Sequence, residues 1–122
     1  MDIYRRNPNV LYARVEHETE SGVYRSDDGG ASWRKLSSEN PRPMYFSQVR
    51  IDPTDPEVVY LGGVGLYQTL DGGKTMANDV AASTHDDVHA IWINPANPSH
   101  VLIGNDGGLA ISYDMAKTWV FL

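Results

Sequence analysis

An eight-residue pattern recurs three times along this chain at a fixed interval, and internal repetition of that kind limits the fold more than any other feature. The copies are Ser26-Asp27-Asp28-Gly29-Gly30-Ala31-Ser32-Trp33, Thr69-Leu70-Asp71-Gly72-Gly73-Lys74-Thr75-Met76 and Ser112-Tyr113-Asp114-Met115-Ala116-Lys117-Thr118-Trp119. A hydroxyl residue opens each box, aspartate stands third, glycine or alanine fifth, a second hydroxyl seventh, and tryptophan or methionine last. The central aspartates Asp28, Asp71 and Asp114 are spaced 43 residues apart. The flanking sequence repeats as well. Gln48 to Pro56 aligns with Ala90 to Pro98 at an offset of 42, and Asp2 to Pro8 matches the ends of both. The chain therefore reads as one unit, 1–122, made of repeats 1–42, 43–84 and 85–122.

Within each repeat the order of signals is the same. An apolar stretch (Ser47 to Ile51; Val88 to Ile93) runs into a turn rich in proline and Asx, where proline presets φ and the Asx side chain caps the backbone. A second stretch follows at Val10 to Val15, Val58 to Leu61 and Val101 to Ile103. The third, at Gly22 to Arg25, Gly65 to Gln68 and Gly108 to Ile111, leads into the box, and a fourth short one starts at its last residue. These runs are short, β-branched or aromatic, and bounded by Gly, Pro, Asn and Asp, which marks strands. No helical periodicity is sustained. Four short strands per ~40–45 residues is the period of a propeller blade. The expected fold is all-β: a partial β-propeller of about three four-stranded antiparallel blades with the boxes as turns. An open stack would leave blade faces bare, so completion by oligomerisation is expected, a dimer being favoured and a trimer the alternative.

The boxes carry a mechanical role: Ser26, Asp28, Gly30 and Trp33; Thr69, Asp71, Gly73 and Thr75; Ser112, Asp114, Thr118 and Trp119. Aspartate accepts backbone N–H bonds, glycine supplies positive φ, and tryptophan plugs into the blade. Equally spaced carboxylates diverge around a ring, which argues against a shared catalytic or calcium site.

The boxes and the Asx-Pro turns resemble the BNR or Asp-box repeats of sialidases, sortilin and xyloglucanase-type glycoside hydrolases. Stretches such as His85 to Ile93 and Gly104 to Gly108 look like the sortilin-like bacterial propellers labelled glycosyl hydrolases. The resemblance implies boxes remote from the ligand site and an extracytoplasmic bacterial origin. Met76 and Ala116 depart from the usual tryptophan and glycine.

Composition narrows the partners. The formal charge is −6, with three scattered lysines and with arginines interleaved among acids, so a nucleic-acid partner is not expected. No apolar run approaches the ~20 residues of a membrane helix, and no secretory signal is read in Met1 to Arg6. Without cysteine there is no thiolate metal site, and no cofactor is expected.

The densest polar cluster is His85-Asp86-Asp87-Val88-His89. On a strand, His85, Asp87 and His89 would share one face towards the central channel. Adjacent members at i and i+2 are ~6.8 Å apart and suit a shared ion, whereas i and i+4 are too far apart. His85 and Asp87 are thus the metal candidates, beside a polar ligand-facing reading and a structural one. By the repeat offset Tyr45 stands opposite Asp87, so Arg42, Tyr45 and Gln48 could rim the same channel and suit a carbohydrate or peptide; Tyr45, Phe46 and Trp92 equally suit packing between blades. Asp106, in Asn105-Asp106-Gly107-Gly108, is a further ligand candidate or a turn residue. No catalytic residue can be assigned. A glycosidase needs two carboxyls ~5–9.5 Å apart, and no pair is nominated by spacing. The function expected is a structural or binding propeller module, with a fragment or subunit of a glycoside hydrolase as the alternative.

Overall fold

The structure, a computed structural model, describes residues 1–38 and 48–122. Its strands fall into three consecutive antiparallel sheets. The first holds β1 (Asp2–Ile3), β2 (Leu11–Val15), β3 (Gly22–Ser26) and β4 (Arg34–Ser37) in that order. The second holds β5 (Val49–Asp52), β6 (Asp55–Gly62) and β7 (Leu66–Thr69). The third holds β8 (Ala90–Ile93), β9 (Val101–Asn105), β10 (Gly108–Ser112) and β11 (Val120–Phe121), again paired in chain order. Each sheet is a blade. Among the described residues there is no helix, and so none long and apolar enough to cross a membrane.

The core lies between the blades rather than inside any one of them. Tyr4, Val10, Tyr12 and Val23 of the first blade close on Val49, Ile51, Val59 and Leu61 of the second. Val58, Tyr60 and Leu66 on the other face of the second blade close on Ile91, Ile93, Val101, Ile103 and Ala110 of the third. Strand alternation makes this arrangement. Along β6 the side chains of Val58 and Tyr60 go one way and those of Val59 and Leu61 the other, and all four are buried. Each such aliphatic side chain contributes about 1.5–3 kcal/mol by leaving water.

Polar bonds fix the relative placement of the blades. Asp2 Oδ2 accepts from Ile51 N at 2.8 Å, and Tyr12 Oη donates to the Pro56 carbonyl at 2.7 Å. Arg25, almost fully buried, reaches Glu57 of the second blade at 2.9 Å. Across the next joint Gln68 Nε2 donates to the Met115 carbonyl at 3.0 Å, and Trp119 Nε1 donates to the Val80 carbonyl at 2.8 Å. The first strands of the three sheets sit side by side, with β5 against both β1 and β8, and form the innermost layer.

Two expectations need correction. The fourth strand of the second blade shrinks to one bridge, Gln68 with Ala77. The ladder stops there because Asp79, at φ 42°, puts its own carboxylate on Leu66 N at 3.2 Å, where a strand would offer a carbonyl. The innermost strand of the third blade starts at Ala90, not Val88, because Asp87 and Val88 spend their N–H groups on the carbonyls of Val64 and Gly63 in the second blade, both at 2.8 Å.

Candidate functional site

Strand order gives the stack two rims. One carries the boxes and the turns between the first and second strands; the other carries the turns between the second and third strands and the connections from blade to blade.

On the box rim the three turns have one geometry. Ser26 Oγ bonds Asp28 Oδ1 at 2.8 Å and accepts from Gly30 N at 2.9 Å, while Asp28 Oδ1 accepts from Ser32 N at 2.8 Å. Thr69, Asp71, Gly73 and Thr75 reproduce this set at 2.9, 2.9 and 2.9 Å. Ser112, Asp114, Ala116 and Thr118 reproduce it at 2.8, 2.8 and 2.8 Å. The second carboxylate oxygen takes the hydroxyl of Ser32, Thr75 or Thr118. A further bond ties each box to the neighbouring turn: Gly29 N to the Asn9 carbonyl, Gly72 N to that of Glu57, Met115 N to that of Ser99. The hydroxyls of Ser32, Thr75 and Thr118, with their backbone N–H groups, pull the three carboxyls from 3.8 down to about 2. Their lone pairs are committed inside the turn, so these aspartates hold backbone rather than substrate.

In the second and third boxes the last residue packs towards the preceding blade. Met76 lies against the joint of the first and second blades, and Trp119 against that of the second and third. Trp33, in the first blade, keeps 41% of its surface exposed and bonds its own box through the Gly30 carbonyl. It does not plug into the blade as the sequence suggested.

The opposite rim gathers part of the histidine cluster. Asp87 has φ 64°, and residues 85–89 are not a strand, so the alternation that would align His85, Asp87 and His89 on one face does not occur. What comes together is His89 with Asp106. His89 Nδ1 donates to the Asp87 carbonyl at 2.6 Å and stands 3.8 Å from Asp106 Oδ1. A carbonyl can only accept, so Nδ1 carries the proton of this bond. His85 packs on Gly107, where an added Cβ would lie 2.7 Å from its own. Among the described residues no three His, Asp or Glu side chains converge as a metal ion requires. Gln48 contributes its carbonyl to Gly62 N at 3.0 Å. Arg42 and Tyr45 lie outside the described residues.

A cleft lies elsewhere, along the innermost layer. It encloses about 540 Å³ and is lined by Asp2, Arg5, Arg50, Trp92 and the isoleucines Ile3, Ile51, Ile91 and Ile93, with Pro53 and Pro95. Asp2, Arg50 and Trp92 are equivalent positions: they pair with Tyr12, Tyr60 and Leu102 of the second strands, one register step before Ile3, Ile51 and Ile93. Three repeats thus keep isoleucine where the blade is built and diverge into carboxylate, guanidinium and indole where the cleft is faced. Asp2 is consumed structurally, since Oδ1 accepts from Ile3 N and Oδ2 from Ile51 N. Arg50 and Trp92 remain. Residue-by-residue reading missed this pair, although the divergence was visible in the repeat alignment once the strand register was known.

No family model matches the chain. A xyloglucanase of Paenibacillus sp. is 36% identical over 72 residues, 57% of this chain and 7% of that protein. The dispase autolysis-inducing protein of Streptomyces mobaraensis is 31% identical over 119 residues, 79% of this chain and 30% of that protein. The chain therefore spans under a third of the length of either curated relative. Among solved structures, a GH74 enzyme of Niastella koreensis superposes with a TM-score of 0.74 at 16% identity, over 97% of this chain and 21% of that one. The GH74 xyloglucanase of Xanthomonas campestris does so with 0.70 at 20% identity, over 97% and 22%. An ancestral GH74 enzyme also gives 0.70 at 20%, over 92% and 16%. The fold of this chain is that of consecutive blades of a β-propeller, the architecture of these GH74 neighbours.

Proposed function

We propose that the chain is a saccharide-binding segment of a glycoside-hydrolase-related β-propeller, built from Asp-box blades of the kind found in sialidases and sortilin, and not itself the source of a complete catalytic pair. The observation that carries the reading is the cleft along the innermost strands, which the half-exposed indole of Trp92 and the guanidinium of Arg50 both line. A flat aromatic face with nearby donors is suited to a sugar ring, which presents C–H groups on its face and hydroxyls at its edge. The sequence similarity to a xyloglucanase supports the same ligand class. Hydrolysis is not supported from this chain alone: among the described residues the one carboxylate lining the cleft, Asp2, is bonded to backbone N–H groups, and a glycosidase needs two. Isothermal titration with xyloglucan and cello-oligosaccharides tests the proposal. Binding should be weakened several-fold by Trp92→Ala, and no saccharide affinity in the wild type would end it. Turnover of β-glucan or sialyl substrates by the isolated chain would favour the hydrolase alternative instead.

The proposal includes self-association, for a specific reason. Both end faces of the stack are the two halves of a joint that the molecule already makes twice. Trp92, Leu102, Ile111 and Val120 run in register across the third blade. Of their equivalents in the second blade, Tyr60 and Gln68 are buried under the third blade. The outer face of the first blade presents Ile3, Leu11 and Ala13 at positions that correspond to buried ones in the second and third, and Trp33 at the position of the partly buried Met76 and Trp119. A second copy fits head to tail, and molar mass by light scattering reads the outcome: a dimer or trimer is expected, a stable monomer at micromolar concentration refutes it.

A further inference from the structure

The cleft is electropositive in an acidic protein, and this says which sugars it takes. The chain carries a formal charge of −6, yet among the described residues the cleft is lined by Arg5 and Arg50 against a single carboxylate, Asp2. That carboxylate is turned into the backbone, with one oxygen on Ile3 N at 2.9 Å and the other on Ile51 N at 2.8 Å. Arg25 is paired with Asp27 and Glu57, and Arg34 with Asp27. Among the described residues neither Arg5 nor Arg50 has such a partner. Arg50 makes one backbone bond, from Nη1 to the Val49 carbonyl at 2.7 Å, which uses one of the five guanidinium donors and anchors the group. Anchoring lowers the ordering cost of a later bond.

Position adds to charge. At Asp2 and Arg50 the following blade is present, and both side chains are nevertheless only partly buried, because this register position opens on the channel. Trp92 occupies the equivalent position in the third blade. Guanidinium and indole on neighbouring innermost strands offer one ligand two different contacts, an anion clamp and a flat apolar platform.

We propose that the cleft binds an anionic saccharide, with the sugar face on Trp92 and its carboxylate or sulfate on Arg50 and Arg5. This rests on the saccharide-binding reading above and adds the charge of the ligand to it. Two parallel N–H···O bonds are the geometry a guanidinium offers a carboxylate, and charge-assisted bonds are about twice as strong as neutral ones. A sulfate ester presents the same fork of oxygens.

Titration calorimetry of the intact chain with oligogalacturonate, a sulfated galactan oligosaccharide and cello-oligosaccharide of equal length tests it. At low salt one acidic ligand should bind about 10-fold more tightly than the neutral one, with the preference shrinking at 0.5 M salt as the charges are screened. Whichever acidic ligand leads identifies carboxylate or sulfate as the group recognised. Arg50→Gln should weaken the acidic ligand by a larger factor than the neutral one, so that the preference is lost. Arg5→Gln, on an exposed residue with no fold to upset, should reduce it. Lys117→Gln, a cation outside the cleft, should change nothing, which separates local recognition from net charge. Neutral ligand bound as tightly as both acids overturns this inference and leaves the saccharide reading standing. Failure of all three to bind overturns both.

Discussion

Asp28, Asp71 and Asp114 answer in three copies the question of why a hydroxyl must stand two residues before and four residues after each aspartate: the first closes the turn, the second fills the carboxylate. The same bonds set an acid limit. Each carboxyl is held near 2 by its Ser or Thr partner, while in the unfolded chain it titrates near 3.8. The folded state binds fewer protons in between, so the contribution of the boxes is complete above the unfolded value and is lost as pH falls from about 4 to 2. Urea midpoints measured between pH 5 and 2 should fall across that window, and Asp71→Asn should flatten the fall while lowering the midpoint at pH 5. The glycines discriminate further. Gly30 and Gly73 have φ 95° and 92°, so alanine costs about 1–2 kcal/mol at either by backbone strain. At Gly73 the new Cβ would also lie 2.5 Å from Leu36 Cδ1 of the first blade, whereas at Gly30 its nearest neighbour is 3.7 Å away. Gly73→Ala should therefore lower stability by more than Gly30→Ala, read from chemical denaturation of the two variants. At this scale the boxes were legible because their bonds are local in sequence. The histidine cluster was not, since the alternation it relied on is broken by backbone bonds from Asp87 and Val88 to another blade.

At the scale of elements, strand identity followed from short apolar runs between Gly, Pro and Asx, and ten of the eleven strands overlap or directly follow a run so marked. What the runs could not show is which side chains cross a joint. Arg25 sits at the end of an unremarkable strand, β3, yet its guanidinium is buried at the first joint, bonded to Tyr12 Oη at 2.8 Å and to both oxygens of Glu57. Burial of the same joint raises the Tyr12 hydroxyl to about 12, so it stays protonated and donates to the Pro56 carbonyl. Arg25→Met removes these charge-assisted bonds and strands Tyr12 with half its partners. A loss of about 2–3 kcal/mol is expected in equilibrium unfolding. Glu57→Gln, at a half-exposed position, should cost less, because Asp27 still accepts from Arg25 at 2.8 Å. Equal losses in both variants would place the stabilisation in Glu57 rather than in burial of the arginine. The shortened fourth strand of the second blade has a similar origin: a single side chain, Asp79, takes the N–H that a longer ladder would have used.

The whole molecule is a set of joints, and its period explains why. Hairpins repeating every 43 residues make sheets that are apolar on both faces, and such sheets can only stack. The sequence reading reached that far. Which faces remain open required coordinates, because exposure at Trp33 and burial at Trp119 arise from neighbours and not from the residues themselves. A head-to-tail second copy would bring the stripe of Leu109 and Val120, 49% and 54% exposed, against the face that bears Trp33. Leu109→Arg plants a charge in that contact without touching either internal joint. Trp33→Ser removes the apolar plug from the opposite face. Both variants should sediment as monomers with thermal unfolding close to that of dissociated wild type, and mixing the two should not restore a closed ring, since each copy must supply both faces. If the variants keep the wild-type mass, the exposed stripe is not what joins the copies. Loss of anionic-sugar binding together with loss of assembly would further place the missing wall of the cleft on the neighbouring copy, because Trp92 belongs at once to the open face and to the cleft lining.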